Sequence, residues 1–512
     1  MTVEIKGDGL RIEDVHEVGR NRARVKLAAK ARKAVAKCRK TVEELVAEGQ
    51  LIYGVTTGIG ELARVHVPVD VSRELQKRII YSHSAGVGEF FDEDEVRGAM
   101  LLRANVLAKG YSAVRLSTLE TLIKMLNRDV YPAINTKGSV GTSGDLSPLS
   151  QMAEVVMGEG RAFYKGKVIP GGKALEKAKI KPVKLHYKEG LGLINGTQMF
   201  TSSGALRLYD SIRLMKTAII ASAMSADALR TPLRGYDKRV HEIRPYNGQN
   251  AVAQNMRKLL RGSRMAGRMS KKVQDAYSLR CIPQVFGPSV DALEYARGQI
   301  ETEMNSVIDN PLFFPKDRAQ LSCGNFHGQP VAMALDLLGI AMSEVGGLSE
   351  RHINRLMNPS LNLGLPAFLV KGEGLNSGLM VAQYTAAALC SENKLLAHPA
   401  IVDNFSMAAD QEDHICMGPL AASKLKDIVW NVTNILAIEM MSAAQAIYFL
   451  DEKPGAGVEP AYAEIRKVVK PLKQDRVLWP DIQAIAEKIA NWDILNAVED
   501  RVGKIDLVWR KR

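Results

Sequence analysis

The sequence predicts a mainly α-helical protein, a bundle of long near-parallel helices interrupted by glycine-rich loops. Three observations carry that expectation. Ala, Leu, Met, Lys and Glu are plentiful while aromatics make up only 6% of residues, a balance that favours helix. Apolar residues recur at three- and four-residue steps through long stretches of the second half. Between the helical stretches lie Gly-rich segments carrying Tyr, His, Asn, Arg and Glu, where polar chemistry sits on a rigid framework.

Taken in order, RNRARVKLAAKARKAVAKCRK (20–40) places Val25, Leu27, Ala28 and Val35 at helical intervals, so its bases are expected on a solvated helix face. A helical pattern from Thr41 to Leu51 gives way to YGVTTGIGE (53–61), which its Gly and Thr content makes a loop. A helix is expected from about Ser72, followed by a second loop, SAGVGEFFDEDE (84–95), whose acidic end caps the next helix. Residues 129–150, with Pro132, Gly138, Gly141, Gly144 and Pro148, form a third irregular segment. There Asp145 is the expected N-cap of a helix with Pro148 in its first turn. Val331 to Met357 aligns Leu335, Leu338, Met342 and Val345; Leu425 to Leu450 aligns Leu425, Ile428, Val432 and Ile435. Such helices joined by short turns indicate a bundle, and their length suggests burial against other subunits. The expected organisation is an N-terminal region, 1–200, carrying the loops, and a long-helix bundle with a C-terminal helical region, 201–512, in one integrated catalytic unit.

Composition narrows the function classes. The net charge of +13 is concentrated in residues 20–40 and the terminal WRKR, yet no zinc finger, RNP motif or GXXG clamp accompanies it. A basic helical nucleic-acid-binding protein without catalysis is the alternative from another class. Five scattered cysteines lack CxxC pairs, and His16, His66 and His241 lack ligand spacing, so no metal is expected. Packing is the expected role of Cys281 and Cys323. The apolar stretches read as too short or too interrupted to cross a bilayer, as at 217–226 between Lys216 and Asp227. MTVEIKGDGL lacks a secretory pattern, so a cytoplasmic location with free thiols is expected.

The most specific segment is GSVGTSGDLSPL (138–149). By residue type it is a Gly-rich loop entering a helix, a place that suits an anion. It also resembles the Ala-Ser-Gly-Asp-Leu signature of the histidine and aromatic amino acid ammonia-lyase family. In that family the tripeptide cyclises and dehydrates to 4-methylideneimidazol-5-one (MIO), an electron-poor group that no unmodified side chain offers. The residue types suit the chemistry. The amide nitrogen of Gly144 must attack the carbonyl of Thr142, and glycine permits the sharp bend. Ser143 supplies the hydroxyl lost as water. The side chain of residue 142 only hangs off the ring, so Thr142 in place of Ala is a tolerated departure.

The resemblance runs from about residue 5 to 500 and implies an L-aspartase/fumarase-like fold, a homotetramer with shared active sites, and a small amino acid as substrate. It implies that Tyr53, in a frame similar to YGxNTGFG, is the base that takes the β-proton. That role needs a stabilised phenolate, since a free tyrosine has a pKa of ~10. Backbone donors, helix N-termini and basic neighbours are the expected stabilisers. In LINGTQ, Asn195 matches an asparagine that contacts electrophile and substrate. VQDAYSLRCIPQ supplies Gln274, Tyr277 and Arg280, the last suited to the substrate carboxylate by its planar fork. GNFHGQP supplies Asn325, and Phe326 to wall the pocket. For the side chain of the substrate, Ser82-His83 and Glu412 (in DQEDHICMG) resemble histidine lyases. A carboxylate facing an imidazole N–H is a favourable charge-assisted pair, whereas facing a bare phenyl ring it lacks a partner. The implied reaction is L-histidine to trans-urocanate and ammonia. Glu61 and the Thr-Ser-Gly variant resemble tyrosine 2,3-aminomutases of the same family, which keeps that activity and tyrosine ammonia-lyase open as alternatives.

Overall fold

A computed structural model describes residues 1–267, 273–372 and 374–509. Helix dominates it, and its strands are short pairs and one three-stranded sheet. The chain forms two compact units, each discontinuous in sequence. One comprises Met1–Tyr209, Ala296–Asp336 and Pro399–Ser423; the other Asp210–Tyr295, Leu337–His398 and Lys424–Arg512.

The first unit begins with strand Thr2–Ile5, paired in parallel with Arg24–Leu27 so that Val3 meets Val25 and Ile5 meets Leu27. This corrects the expected helical reading of 20–40. Val25 and Leu27 are buried by the two-residue period of a strand, and helix starts only at Ala29. The helix ends at Ala47 rather than Leu51, because Gly49 takes φ +73°. The bases of 20–40 lie largely on an exposed face, as expected, with Lys30, Lys33, Lys37 and Lys40 exposed, and some of the arginines are paired. Arg22 pairs with Glu93 at 2.6 Å, Arg32 with Glu120, and the buried Arg39 with Glu43 at 2.7 Å. Residues 510–512 of the terminal basic run lie outside the described residues.

Helix Ser72–His83 forms as expected. The loop after it contains a short strand, Val87–Phe90, antiparallel to Asn135–Lys137. Val130–Pro132 joins a second small sheet with Arg161–Tyr164 and Lys167–Pro170. The segment 129–150 is thus less irregular than its Gly and Pro content predicts, because two strands pair outside it. Helix Glu93–Ala108 opens on Asp92, whose N–H donates to the Glu95 carboxylate at 3.3 Å, with three acidic residues in the first turn. A core of Cys38, Val42, Leu45, Ile52, Val55 and Phe313 clamps the chain on both sides of Tyr53.

In the second unit the expected apolar rows are buried, with Leu338, Met342 and Val345 on one helix and Leu425, Ile428, Val432 and Ile435 on another. Gly339 and Gly346 let the two helices approach. A Cβ on Gly346 would lie 3.1 Å from the Ile435 methyl, and one on Gly339 3.2 Å from that of Ile428. Helix Gln329–Met357 is long and apolar enough to cross a membrane by length and composition, contrary to the sequence reading. Its most apolar window is 67% buried within the protein, so it serves as a core helix.

Candidate active site

The signature loop is held in a bent conformation from both sides. Gly144 takes φ +76°, and a Cβ there would run into the Gly196 carbonyl. The Asp145 N–H donates to that same carbonyl at 2.7 Å. Gly141, at φ +74°, packs on Cys416, and the Met417 N–H donates to the Val140 carbonyl at 3.0 Å. Only glycine fits either position. Thr142 and Ser143 are half-buried between these anchors.

Asp145 stands at the N-cap position of helix Leu146–Val156, with Pro148 in the first turn, but its side chain does not cap that helix. Its carboxylate instead accepts from the N–H groups of Met199 (2.9 Å) and Phe200 (3.1 Å). These are orphan donors in the first turn of helix Gln198–Ala228. Burial raises the Asp145 pKa to about 7, partly offset by those two N–H donors. The signature is therefore tied to the LINGTQ segment twice, by Gly144 on Gly196 and by Asp145 on the following helix.

The expected site residues of this unit meet in part. The Ser143 hydroxyl donates to the Glu412 carboxylate at 3.0 Å, across 269 positions of sequence. Tyr53 is near enough to feel Glu412: burial raises its pKa first, the Gly60 N–H donating to its hydroxyl at 2.9 Å lowers it, and the Glu412 charge raises it again. The net direction is upward. The expected backbone donor is present, whereas no basic residue acts on Tyr53 among the described residues. His83 closes its helix, its Nδ1 donating to the Ile79 carbonyl at 2.7 Å with the Ser82 hydroxyl 3.0 Å away. Neutral His83 then has an acceptor at Nε2. Its loop approaches the signature at Gly86, where a Cβ on Gly138 would lie 2.7 Å from the Gly86 Cα. Asn195 is buried, and its Oδ1 has no hydrogen-bond partner among the described residues. The exposed Asn325 donates to the Val307 carbonyl at 3.3 Å, and Phe326 beside it is half-buried.

Gln274, Tyr277 and Arg280 belong to the second unit. Gln274 is exposed and Tyr277 is 72% exposed. The Arg280 guanidinium stacks over the Tyr277 ring at 4.7 Å, with its Nε buried and unpartnered among the described residues. Their short helix, Tyr277–Arg280, is fixed from below. Tyr236 donates its hydroxyl to the Leu279 carbonyl at 2.7 Å, and buried His352 bridges the Ser278 carbonyl (2.6 Å) and Glu439 (2.8 Å). Cys281 and Cys323, expected as buried packing, are only half-buried; Cys38 and Cys416 are the fully buried thiols.

Sequence reasoning missed Arg103. It is fully buried on helix Glu93–Ala108 and donates to the carbonyls of Asn195 (2.8 Å) and Gly192 (2.7 Å) and to the Gln198 side chain (2.9 Å). Burial lowers its pKa to about 10, and nearby Asp309 raises it. Asp309 itself holds Lys188 in a fully buried pair at 2.8 Å. Nothing in the sequence around Arg103 marks it. The one available signal is an arginine within an otherwise apolar helical run, AMLLRANVLA.

The residues present fit an MIO group. Gly144 is pinned in a bend that only glycine permits, Ser143 is hydrogen-bonded through its hydroxyl, and Asn195 presents a buried oxygen without a partner among the described residues.

Comparison with known proteins agrees. The chain matches a family model described as aromatic amino acid lyase over residues 10–467. A histidine ammonia-lyase of Alkaliphilus oremlandii is 49% identical over 502 residues, covering 98% of this chain and 99% of its own. The crystal structure of histidine ammonia-lyase from Trypanosoma cruzi superposes with a TM-score of 0.92 at 38% identity, covering 100% and 99% of the two chains. A tyrosine aminomutase from Streptomyces globisporus superposes at 0.94 with 37% identity, covering 98% and 99%. With a family model spanning most of its length and relatives matched end to end, the chain belongs to the aromatic amino acid lyase family, a family of carbon–nitrogen lyases, and shares its mainly helical fold.

Proposed function

We propose that the chain is an MIO-dependent ammonia-lyase that converts L-histidine to trans-urocanate and ammonia. The observation that carries the reading is the meeting of Ser143 with Glu412 beside Tyr53, on a loop bent at Gly144. The group made from Thr142-Ser143-Gly144 supplies, once formed, an electron-poor carbon for the substrate amine. The remaining work falls to side chains. Tyr53 takes the β-proton, with the Gly60 N–H stabilising its oxygen. His83, its Nδ1 committed to Ile79, presents Nε2 to the substrate ring, and Glu412 offers a carboxylate to the imidazole N–H. Arg280 clamps the carboxylate; Asn195 orients the reacting end. Phe326 walls the pocket, and Gln274, Tyr277 and Asn325 complete it.

The reading includes a cytoplasmic homotetramer with shared active sites. Exposed apolar side chains on three long helices support it: Leu337 and Ile340, Val381 and Tyr384, and Trp430. So does the exposure of Gln274 and Tyr277, polar groups that a second chain would enclose. The five free cysteines suit a reducing compartment.

The tyrosine readings, lyase or 2,3-aminomutase, stay as the alternatives; Glu61, the residue similar to the aminomutases, pairs with Arg64 on an exposed turn. Separate incubation with L-histidine, L-tyrosine and L-phenylalanine, read by ultraviolet spectrum and mass, tests the assignment. Urocanate from histidine alone is expected. Coumarate or β-tyrosine, with histidine untouched, overturns the substrate. Ser143→Ala is expected to abolish turnover while leaving the thermal transition in place.

A further inference from the structure

We infer that Glu412 also acts before any substrate arrives, as the acid that helps Ser143 shed its hydroxyl while the prosthetic group is made. The inference rests on the proposed self-made MIO group. Its observation is the 3.0 Å contact between the Ser143 Oγ and the Glu412 Oε1, in which the hydroxyl donates to the carboxylate; once Glu412 takes up a proton the donation reverses along the same line. That contact exists only while Ser143 keeps its oxygen, so it belongs to the unmodified chain and has no counterpart in the finished enzyme. A carboxyl on the departing atom is where an acid must stand if hydroxide is not to leave unaided.

The steps balance as follows. The Gly144 nitrogen loses its proton and bonds to the Thr142 carbonyl carbon; the oxygen of that carbonyl leaves as the first water with that proton and the Ser143 N–H proton, and a double bond forms between the carbon and the Ser143 nitrogen. At Ser143 the Cα–H and Cβ–O bonds then break and a Cα–Cβ double bond forms. The departing hydroxyl takes a proton from the Glu412 carboxyl and leaves as the second water. The Cα proton passes to solvent, from which Glu412 is reprotonated, so no oxidant or other reagent is consumed.

The surroundings of the pair favour this over a chance contact. Gly144 is pinned against Gly196, and Asp145 is tied to the same carbonyl and to the N–H groups of Met199 and Phe200. The peptide is thus fixed while Glu412 reaches it from a separate loop, bridged on itself between Met407 and Glu412. Ala408, Ala409 and Asp410 take left-handed φ values of 52–65° to make that turn. Non-glycine residues in that region cost energy, and the turn's effect is to bring one carboxylate to the serine. After dehydration the same carboxylate is released to face substrate. Side-chain recognition and cofactor maturation then depend on one group.

The test follows maturation and not turnover. Full-length wild type, Glu412→Gln and Glu412→Ala are made by cell-free synthesis, sampled over time, and digested. The mass of the peptide containing residues 142–144 reports conversion, since the mature form is lighter by two waters. The near-ultraviolet absorbance of the intact protein gives a second reading. Both variants are expected to lose the second water about 100-fold more slowly than wild type, the usual scale of a lost general acid. Gln keeps the hydrogen bond but has no acidic proton, so Gln maturing at the wild-type rate overturns the inference. So does Ala at that rate. A wild-type peptide that never loses water sinks the self-made group itself, and with it this role. A wild type that matures beside variants that mature equally fast sinks only the role of Glu412.

Discussion

The environment of Tyr53 sets a clear pH expectation. A tyrosine acts as a base only when ionised, so kcat/KM must climb as pH rises through its pKa. Burial and the Glu412 charge push that pKa up, and the single Gly60 N–H opposes them. The rising limb should therefore run on without a plateau to at least about pH 9, given the ordinary value of ~10. Glu412→Gln removes a charge that disfavours the phenolate, so it should move the limb to lower pH whatever it does to the rate. Tyr53→Phe should cost roughly 10²–10⁴ in kcat/KM. A plateau already complete near about pH 8 in wild type would show that some further positive charge lowers the pKa. The Gly/Thr frame marked this tyrosine as a candidate, but gave no sign of its neighbours. The Gly60 donor lies seven residues away and follows from the tightness of the loop. The Glu412 carboxylate, also matched by motif, reaches Ser143 and Tyr53 only through long-range packing that no local pattern encodes.

Among the elements, buried Asp145 ties the signature to the helix after LINGTQ and buried Arg103 ties LINGTQ to helix Glu93–Ala108, and each gives a measurable consequence. The Asp145 pKa is raised to about 7 from 3.8. Its charged form is thus disfavoured by folding, so stability is greatest below the ordinary carboxylate range and falls as pH rises towards 7. Asp145→Asn keeps an acceptor for the Met199 and Phe200 N–H groups but cannot ionise. Urea unfolding between about pH 4 and 7 should show wild type losing up to about 4 kcal/mol relative to the variant; parallel curves would refute a buried, titrating Asp145. Arg103→Lys should lose about 3 kcal/mol, since one ammonium cannot serve acceptors as divergent as the Asn195 and Gly192 carbonyls and the Gln198 side chain. Because Asn195 moves with its carbonyl, kcat should fall more than KM rises. The helices themselves were legible from their periodicity, notably Gln329–Met357 and Gly418–Tyr448. The errors lie where a different period or a distant partner decides. Val25 and Leu27 satisfy a helical spacing but are buried as a strand, because Thr2–Ile5 pairs with them. Asp145 is placed like a cap for the helix it precedes, yet its side chain serves a helix more than fifty residues on.

For the whole molecule the decisive question is whether one chain makes a complete site. Ser143, Glu412 and Tyr53 fall in one compact unit, whereas Gln274, Tyr277 and Arg280 fall in the other. Tyr277 stands 72% exposed, beside an arginine whose Nε is buried without a partner among the described residues. The role proposed for Tyr277 needs something to exclude water from it, and the exposed apolar rows on the long helices offer the area for that contact. Assembly with sites shared between subunits makes a quantitative prediction. Ser143→Ala and Tyr277→Phe should each be nearly inactive alone. Co-expressed so that hybrid tetramers form at random, they should recover activity. If a site draws Ser143 and Tyr277 from different subunits, each sound residue arrives by chance half the time, and recovery approaches about a quarter of wild type. If both residues come from the same chain, every site carries one lesion and mixing restores nothing, however well the tetramers form. Sedimentation of the same samples separates the two cases from simple failure to assemble. Ile340→Glu, which places a charge on an exposed apolar row, should dissociate the hybrids and remove the recovered activity with them.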